Sequence, residues 1–270
     1  MKIWKTALVF VVIGLLLSFA KLAQFKMSSN IVTLTEKNHV LFAGEVNDKS
    51  VAEAQVALAA ISADLSESEV IYLVIDSPGG SVQAGNRFID FAASLPQKIK
   101  TICLFCASMG YHMFQSLDER LVYESSELMS HRVRIGGLAG QVPGEAVSRL
   151  NDIISTTNRM DEKVAKRIGI SVAEYQKSIY DELWLSGLDA VKTRHADRVA
   201  KIRCSKELVT RTKSFTANTL FGAVDVTVSS CPLISGVLKL EFKGEHQFRS
   251  EQEAISEVRK VLRTVVANQF

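Results

Sequence analysis

The sequence lacks an excess of charge of either sign, because 32 Lys and Arg residues stand against 29 Asp and Glu residues and leave a net charge of +3. A nucleic-acid-binding domain usually carries a strongly basic face. The densest basic stretch here, residues 198–213, indicates only a solvated face or loop, so no nucleic-acid partner is predicted. The sequence also lacks internal repeats and low-complexity tracts, which argues against a repeat array or a disordered chain. A hydrophobic fraction of 47% is ample for a packed core.

Cysteine is scarce, with four residues in the chain. Cys103 and Cys106 have the C-x-x-C spacing of redox or zinc sites, but no second pair and no histidine cluster completes such a site. Their apolar surroundings favour small buried hydrophobic residues, and neither a metal nor a cofactor is predicted. Cys204 and Cys231 lie in turn-rich segments. A disulfide between them is one option if the chain is exported, and two free thiols are the other.

Long hydrophobic runs are also absent, except for one at the N-terminus. Lys2 and Lys5 precede an uncharged run over residues 6–20, which as a helix spans roughly 22 Å and is shorter than the ~30 Å hydrocarbon core of a membrane. Ser18 and Ala20 supply the small residues of a signal-peptide cleavage site. Residues 1–25 are therefore predicted to be a cleaved signal or a short membrane anchor, with a cytosolic amphipathic helix as the third option. The predicted location is periplasmic, or extracytoplasmic and membrane-associated.

Strands and helices alternate along the rest of the chain. Apolar runs rich in β-branched residues predict strands, and apolar positions at helical spacing predict helices. This alternation predicts an α/β fold with a mainly parallel sheet and right-handed crossovers. The predicted strands cover residues 39–44, 70–75, 99–105, 121–123 and 127–130, and the predicted helices cover residues 48–64, 82–95, 144–168 and 251–266.

Two predicted strand-to-helix junctions could serve acyl transfer. Ser108 follows one strand and begins a helix, where free N–H groups and the positive end of the helix dipole lie beside its hydroxyl. Gly79 and Gly80 follow the preceding strand, and ligands of parallel sheets bind at the carboxyl ends of strands. Each feature also has an ordinary structural interpretation. Ser108 is a typical helix N-cap, Pro-Gly-Gly is a common turn, and His131 is consistent with a surface histidine at a strand end.

The order and spacing of these motifs resemble the proteolytic subunit of the Clp protease, over roughly residues 38–200. The resemblance rests on Ile75-Asp76-Ser77-Pro78-Gly79-Gly80-Ser81, then Thr101-Ile102-Cys103, Ala107-Ser108-Met109-Gly110 and Met129-Ser130-His131. Further matching residues are Ala84-Gly85, Gly136-Gly137, Gly140-Gln141, Arg159-Met160, Gly169, Trp184-Leu185-Ser186, Ala190-Val191 and Asp197.

This resemblance implies a crotonase-like spiral of ββα units over residues 26–203. Residues 204–270, whose pattern loosens into short β-like runs and one helix, are predicted to be a C-terminal α+β extension without a counterpart in the family. It also implies a serine endopeptidase in which Ser108 is the nucleophile and His131 the general base. The N–H groups of Gly80 and Met109 would form the oxyanion hole. The third triad residue stays open. An ungapped match puts Glu182 at the family's aspartate position, and Asp181 is the alternative after a one-residue shift.

The resemblance further implies a peptide or unfolded-protein substrate and a homo-oligomer, since the family counterpart of the helix over residues 144–168 mediates contacts between rings. The family works in the cytoplasm with a ring ATPase. Because an exported chain would meet no ATP, an ATPase partner is not expected. Arg132 and Arg134 depart from the Gln-Pro pair that usually follows the histidine. Three other functions remain open: a catalytically silent scaffold or peptide-binding protein, a Ser-Lys enzyme resembling signal-peptide peptidases, and a crotonase-like acyl-CoA enzyme.

Overall fold

The computed structural model describes residues 31–136, 140–219 and 222–242. Its central feature is a six-stranded sheet in which β2, β3, β4 and β5 pair in parallel and β6 pairs antiparallel with β5. A short strand, β7, adds to β5 in parallel. The bounds are β1 (Val32–Leu34), β2 (His39–Val46), β3 (Val70–Gly80), β4 (Lys98–Ala107), β5 (Glu119–Ser130), β6 (Leu183–Ser186), β7 (Arg198–Val199) and β8 (Ile202–Cys204).

Helices connect the parallel strands, and the prediction of an α/β fold with a mainly parallel sheet is confirmed. Two helices have the predicted bounds: α1 and α4. The helices are α1 (Asp48–Asp64), α2 (Val82–Ala93), α3 (Met109–Ser116), α4 (Gly144–Ile168), α5 (Val172–Ser178), α6 (Gly187–Lys192) and α7 (Lys206–Thr210). Local chemistry explains several helix starts, since Asn47 forms a capping box with Ser50 and the Ser81 hydroxyl accepts from the Ala84 N–H.

The core lies between the sheet and these helices. Strand residues such as Ile71, Leu73 and Ile75 are fully buried, as the apolar run of β3 predicts for a central parallel strand. Phe42 and Phe88 meet edge to face at 5.5 Å between ring centroids, which joins β2 to α2. The core thereby holds the carboxyl ends of β3, β4 and β5 side by side.

Four strands, β2 to β5, are longer than predicted, and β3 and β5 differ the most. β3 continues through the Pro-Gly-Gly turn to Gly80, because β2 still pairs with it there while the register with β4 ends at Ser77. Pro78 is tolerated because a residue without an N–H fits a strand side that has no partner. β5 is one strand instead of two, and its register with β4 shifts after Val122. Turn signals in the sequence therefore mark irregularities within paired strands here, and they do not mark strand ends.

The described part of the C-terminal extension contains α7 and an antiparallel sheet of β9 (Thr212–Thr219), β10 (Gly222–Ser229) and β11 (Val237–Phe242). A disulfide joins Cys204 to Cys231, with their Cα atoms 5.9 Å apart. The predicted N-terminal run over residues 6–20 and the predicted helix over residues 251–266 lie outside the described residues. Within the described ranges, no helix is long and apolar enough to cross a membrane.

Candidate active site

Ser108 sits at the turn from β4 into α3, with φ 54° and ψ −118°. A non-glycine residue with a positive φ is uncommon and marks a backbone held by its surroundings, often at a functional site. Ser108 occupies the N-cap position of α3, yet its side chain makes no capping hydrogen bond. The ordinary interpretation of this serine as a helix cap therefore does not account for its position.

The Ser108 hydroxyl instead meets an imidazole. His131 follows β5 directly, and its Nε2 lies 2.9 Å from Ser108 Oγ, within hydrogen-bond distance. The Ser108 N–H donates to the Met129 carbonyl oxygen at 2.9 Å, so the backbone also ties the two strand ends together. The structure thus brings the predicted nucleophile and the predicted base into contact.

The glycine turn at the end of β3 packs against the same serine. Gly79 has φ +94°, and a Cβ added there would lie 2.5 Å from Ser108 Cβ and 2.8 Å from Met109 N. The Ser77 hydroxyl holds this turn, because it accepts from the Gly79 N–H at 3.1 Å and donates to the Gly44 carbonyl at 2.6 Å. Sequence reasoning assigned a role to Gly80 and missed that of Gly79. The available signal was the glycine itself, because glycine is the residue that most readily adopts a positive φ.

Gly80 and Met109 directly follow Gly79 and Ser108, the two residues that pack together. Gly80 has φ +148°, and a Cβ added there would run into the backbone of Val46 on β2. Met109 is the first residue of α3, so its N–H has no intrahelical acceptor. The assignment of these two N–H groups to an oxyanion hole stays a prediction.

Neither candidate acid is hydrogen-bonded to the imidazole. Glu182 accepts a 2.6 Å hydrogen bond from Arg134 and a 3.2 Å bond from the Trp184 indole. Its backbone has a positive φ of 73°. Asp181 is exposed. His131 Nδ1 is buried and has no hydrogen-bond partner among the described residues. A serine–histidine pair is therefore assembled, while the third position of the predicted triad is not.

His112, which sequence reasoning also missed, lies on α3 near His131. Burial, together with the neighbouring His131, lowers the pKa of His112 to about 4. A second buried histidine, His195, has a pKa lowered to about 4 by burial and by Arg120. Both imidazoles are thus neutral at neutral pH, and a neutral His112 leaves the His131 ring without a charged imidazole beside it.

These two histidines predict acid sensitivity. In the unfolded chain their pKa is about 6.5, so between pH 6.5 and pH 4 the unfolded state binds more protons and the free energy of unfolding falls as the pH falls. Each histidine accounts for at most roughly 3 kcal/mol of that loss. We expect chemical denaturation to show a shallower decrease over this range for His112→Gln than for the unchanged protein. Equal slopes would contradict the low pKa of His112.

Cys103 and Cys106 lie on β4 just before Ser108. Both are buried, as predicted for small hydrophobic residues, but they are not two separate thiols, because a disulfide links them with their Cα atoms 5.8 Å apart. In a regular strand, residues three apart point to opposite faces. Here the register of β4 shifts between Cys103 and Phe105 against both neighbouring strands, which allows the two sulfurs to meet.

The protein-family model described as Clp protease matches residues 23–203 of the chain. The matched region contains β1 to β7, the Ser108–His131 pair, the glycine turn and both candidate acids. It ends where the disulfide-linked extension begins.

Proposed function

Because this chain belongs to the Clp protease family, a family of peptidases that act on peptide substrates and typically form oligomers, we propose that it is a serine endopeptidase. Ser108 is the nucleophile and His131 the general base. The hydrogen bond of 2.9 Å between Ser108 Oγ and His131 Nε2 carries this proposal, since nucleophilic catalysis by serine needs an imidazole within such reach.

In the proposed mechanism, Ser108 Oγ attacks the carbonyl carbon of the scissile peptide bond while His131 Nε2 takes its proton. The negative charge on the tetrahedral oxygen is stabilised by the N–H groups of Met109 and Gly80, helped by the positive end of α3. His131 then gives the proton to the leaving amine. Water, activated by the same imidazole, releases the acyl group and restores the hydroxyl.

We propose Glu182 as the third member of the triad, with Asp181 as the alternative. The buried, unpartnered Nδ1 of His131 supports this role, because leaving such an atom unpaired costs about 1–3 kcal/mol. The competing Arg134 side chain is 76% exposed, and exposed ion pairs contribute only about 0–1 kcal/mol. A carboxylate that leaves Arg134 for His131 would also hold the imidazole in the tautomer that accepts from Ser108.

Arg134→Gln should therefore raise the acylation rate of Ser108 by roughly fivefold, the factor that corresponds to about 1 kcal/mol. The measurement is the rate of labelling by a fluorophosphonate probe. Adding Glu182→Gln to this variant should cancel the gain. If the gain survives Glu182→Gln but is lost with Asp181→Asn, Asp181 is the acid.

The experiment that tests the proposal is labelling of the folded protein with a fluorophosphonate, which forms a covalent adduct with an activated serine. We expect one modified residue, Ser108, identified by mass spectrometry of the digested protein. Denatured protein and the Ser108→Ala variant are the controls, and both should stay unlabelled. A folded protein that does not react would contradict the enzyme proposal.

A catalytically silent scaffold or peptide-binding protein is the second candidate. The observation that favours it is the engagement of Glu182 with Arg134 and Trp184. It predicts peptide binding without any adduct at Ser108. A Ser-Lys enzyme is less well supported, because in the described part of the chain the side chain hydrogen-bonded to Ser108 Oγ is the imidazole of His131 and not a lysine amine.

We further propose that the chain works outside the cytoplasm, without an ATPase partner. Two disulfides support this location, since structural disulfides persist in oxidising compartments. The test is cell fractionation combined with mass-spectrometric identification of the mature N-terminus. A cytoplasmic protein that retains Met1 would contradict export.

A homo-oligomer is proposed on the basis of α4. All buried residues of this helix lie at or beyond Met160, whereas Val147 and Ile154 are 45% and 48% exposed. An amphipathic half-helix that leaves apolar side chains in water is suited to contact another subunit. Sedimentation of the unchanged protein against a Val147→Glu/Ile154→Glu variant should separate an oligomer from a smaller species.

A further inference from the structure

A chain of buried polar side chains runs behind the Ser108–His131 pair. The Ser130 hydroxyl lies 2.8 Å from the Tyr175 hydroxyl. The Tyr111 hydroxyl lies 2.6 Å from His195 Nδ1. The two tyrosine hydroxyls are neighbours, close enough for each to shift the pKa of the other. All four side chains are buried, and Tyr175 is fully enclosed.

This chain connects the elements that carry the proposed catalytic residues. Ser130 is the last residue of β5 and directly precedes His131. Tyr111 lies on the first turn of α3, three residues after Ser108. Tyr175, from α5, is hydrogen-bonded to the end of the element that carries the base. Tyr111 lies on the element that carries the nucleophile and is hydrogen-bonded to His195.

The far end of the chain is anchored to a rigid network. The Gln115 amide donates to the His195 carbonyl at 2.7 Å and accepts from Arg120 at 2.6 Å. Arg120 is in turn held by Asp197 through a charge-assisted pair, with its Nη2 2.6 Å from Asp197 Oδ1. Because buried networks with every member satisfied rigidify their surroundings, the tyrosines have a fixed support on one side.

We propose that Tyr111 and Tyr175 are positioning residues that hold α3 and the end of β5 at the separation at which Ser108 Oγ and His131 Nε2 meet. This inference rests on the proposed serine-peptidase function. Neither tyrosine touches the reacting atoms; each acts through the element that it holds. Burial raises the pKa of both hydroxyls, so both stay protonated and able to donate.

Loss of either hydroxyl should show in the rate of the chemical step, because a displacement of about 1 Å in a catalytic group can cost about 100-fold in rate. Tyr175→Phe and Tyr111→Phe keep the ring and remove the hydrogen bonds. We expect the maximal rate of fluorophosphonate inactivation at saturating probe to fall by about 10- to 100-fold. The probe concentration at half-maximal rate should stay the same, because the probe-binding surface is unchanged.

Tyr123→Phe is the matched control. Its hydroxyl donates to the Ile202 carbonyl at 3.4 Å and belongs to a different hydrophobic cluster. This variant should keep the inactivation rate of the unchanged protein. The double variant Tyr111→Phe/Tyr175→Phe should lose little more than either single variant, because either change already displaces one partner of the Ser108–His131 pair.

The outcomes separate this inference from the proposed function. If the unchanged protein reacts at Ser108 while folded Tyr111→Phe and Tyr175→Phe react at its rate, the positioning role is wrong and the enzyme proposal stands. If the unchanged protein does not react, the enzyme proposal itself fails. Circular dichroism establishes that each variant is folded. Should a tyrosine variant not fold, Ser130→Ala removes the hydroxyl at the other end of the same chain and should give the same fall in rate.

Discussion

Replacing His131 with alanine should lower the acylation rate of Ser108 by about four to six orders of magnitude. The imidazole Nε2 lies 2.9 Å from Ser108 Oγ, and Ser108 Oγ has no capping bond with α3 that would occupy it otherwise. Without a base, the hydroxyl has to lose its proton to water, and attack on a carbonyl or phosphonyl centre becomes slow. The measurement is the second-order rate constant for fluorophosphonate labelling at neutral pH.

His39→Gln is the control for the His131 variant. His39 begins β2, and its Nδ1 bonds to the Thr35 carbonyl instead of a catalytic group. This variant should label at the rate of the unchanged protein. A His131→Ala protein that labels within tenfold of that rate would mean that another group takes the proton, and the assignment of the base would be wrong.

Replacing Gly79 with alanine should abolish most of the activity, because the added methyl group would clash with the nucleophile. The added Cβ would lie 2.5 Å from Ser108 Cβ and 2.7 Å from the Ala107 carbonyl oxygen, and the φ of +94° is strained for any residue with a side chain. Backbone atoms cannot yield as a flexible side chain would. The turn and the nucleophile must therefore separate, and we expect a loss of labelling rate of about 100-fold or more, as for other displacements of about 1 Å.

Gly136→Ala is the matched control for this variant. A Cβ at Gly136 would meet no atom within 4 Å, and Gly136 is not among the glycines with a positive φ. Both variants add one methyl group at a glycine. Equal labelling rates for Gly79→Ala and Gly136→Ala would contradict the close packing of Gly79 against Ser108.

The helices show how much of the fold can be predicted from the apolar periodicity of the sequence. The bounds of α1 and α4 agree with the apolar periodicity of the sequence, because a stop at Gly169 and a cap at Asn47 are local signals. The ends of the irregular strands were harder to predict from the sequence. Whether Pro78 ends β3 depends on which neighbouring strand still pairs there, and that is a property of the sheet.

The candidate site also has features that the sequence predicted and features that it did not. The family resemblance brought Ser108, His131 and the glycine turn together in advance, and the family assignment is confirmed. It did not show that Glu182 would face Arg134, since the direction of an exposed carboxylate depends on which cation lies near it in space. The link between Ser130, Tyr175 and Tyr111 joins residues up to 64 positions apart and left no local pattern.

The sequence by itself therefore determined the fold class, the family, the bounds of α1 and α4 and the residue types at the strand ends, because these depend on periodicity and short motifs. Tertiary structure alone decided that Gly79 packs on the nucleophile, that Cys103 bonds to Cys106, and that His131 Nδ1 has no hydrogen-bond partner among the described residues. Each of these depends on where side chains from separate strands and helices point, and such directions follow from the packing of the whole sheet.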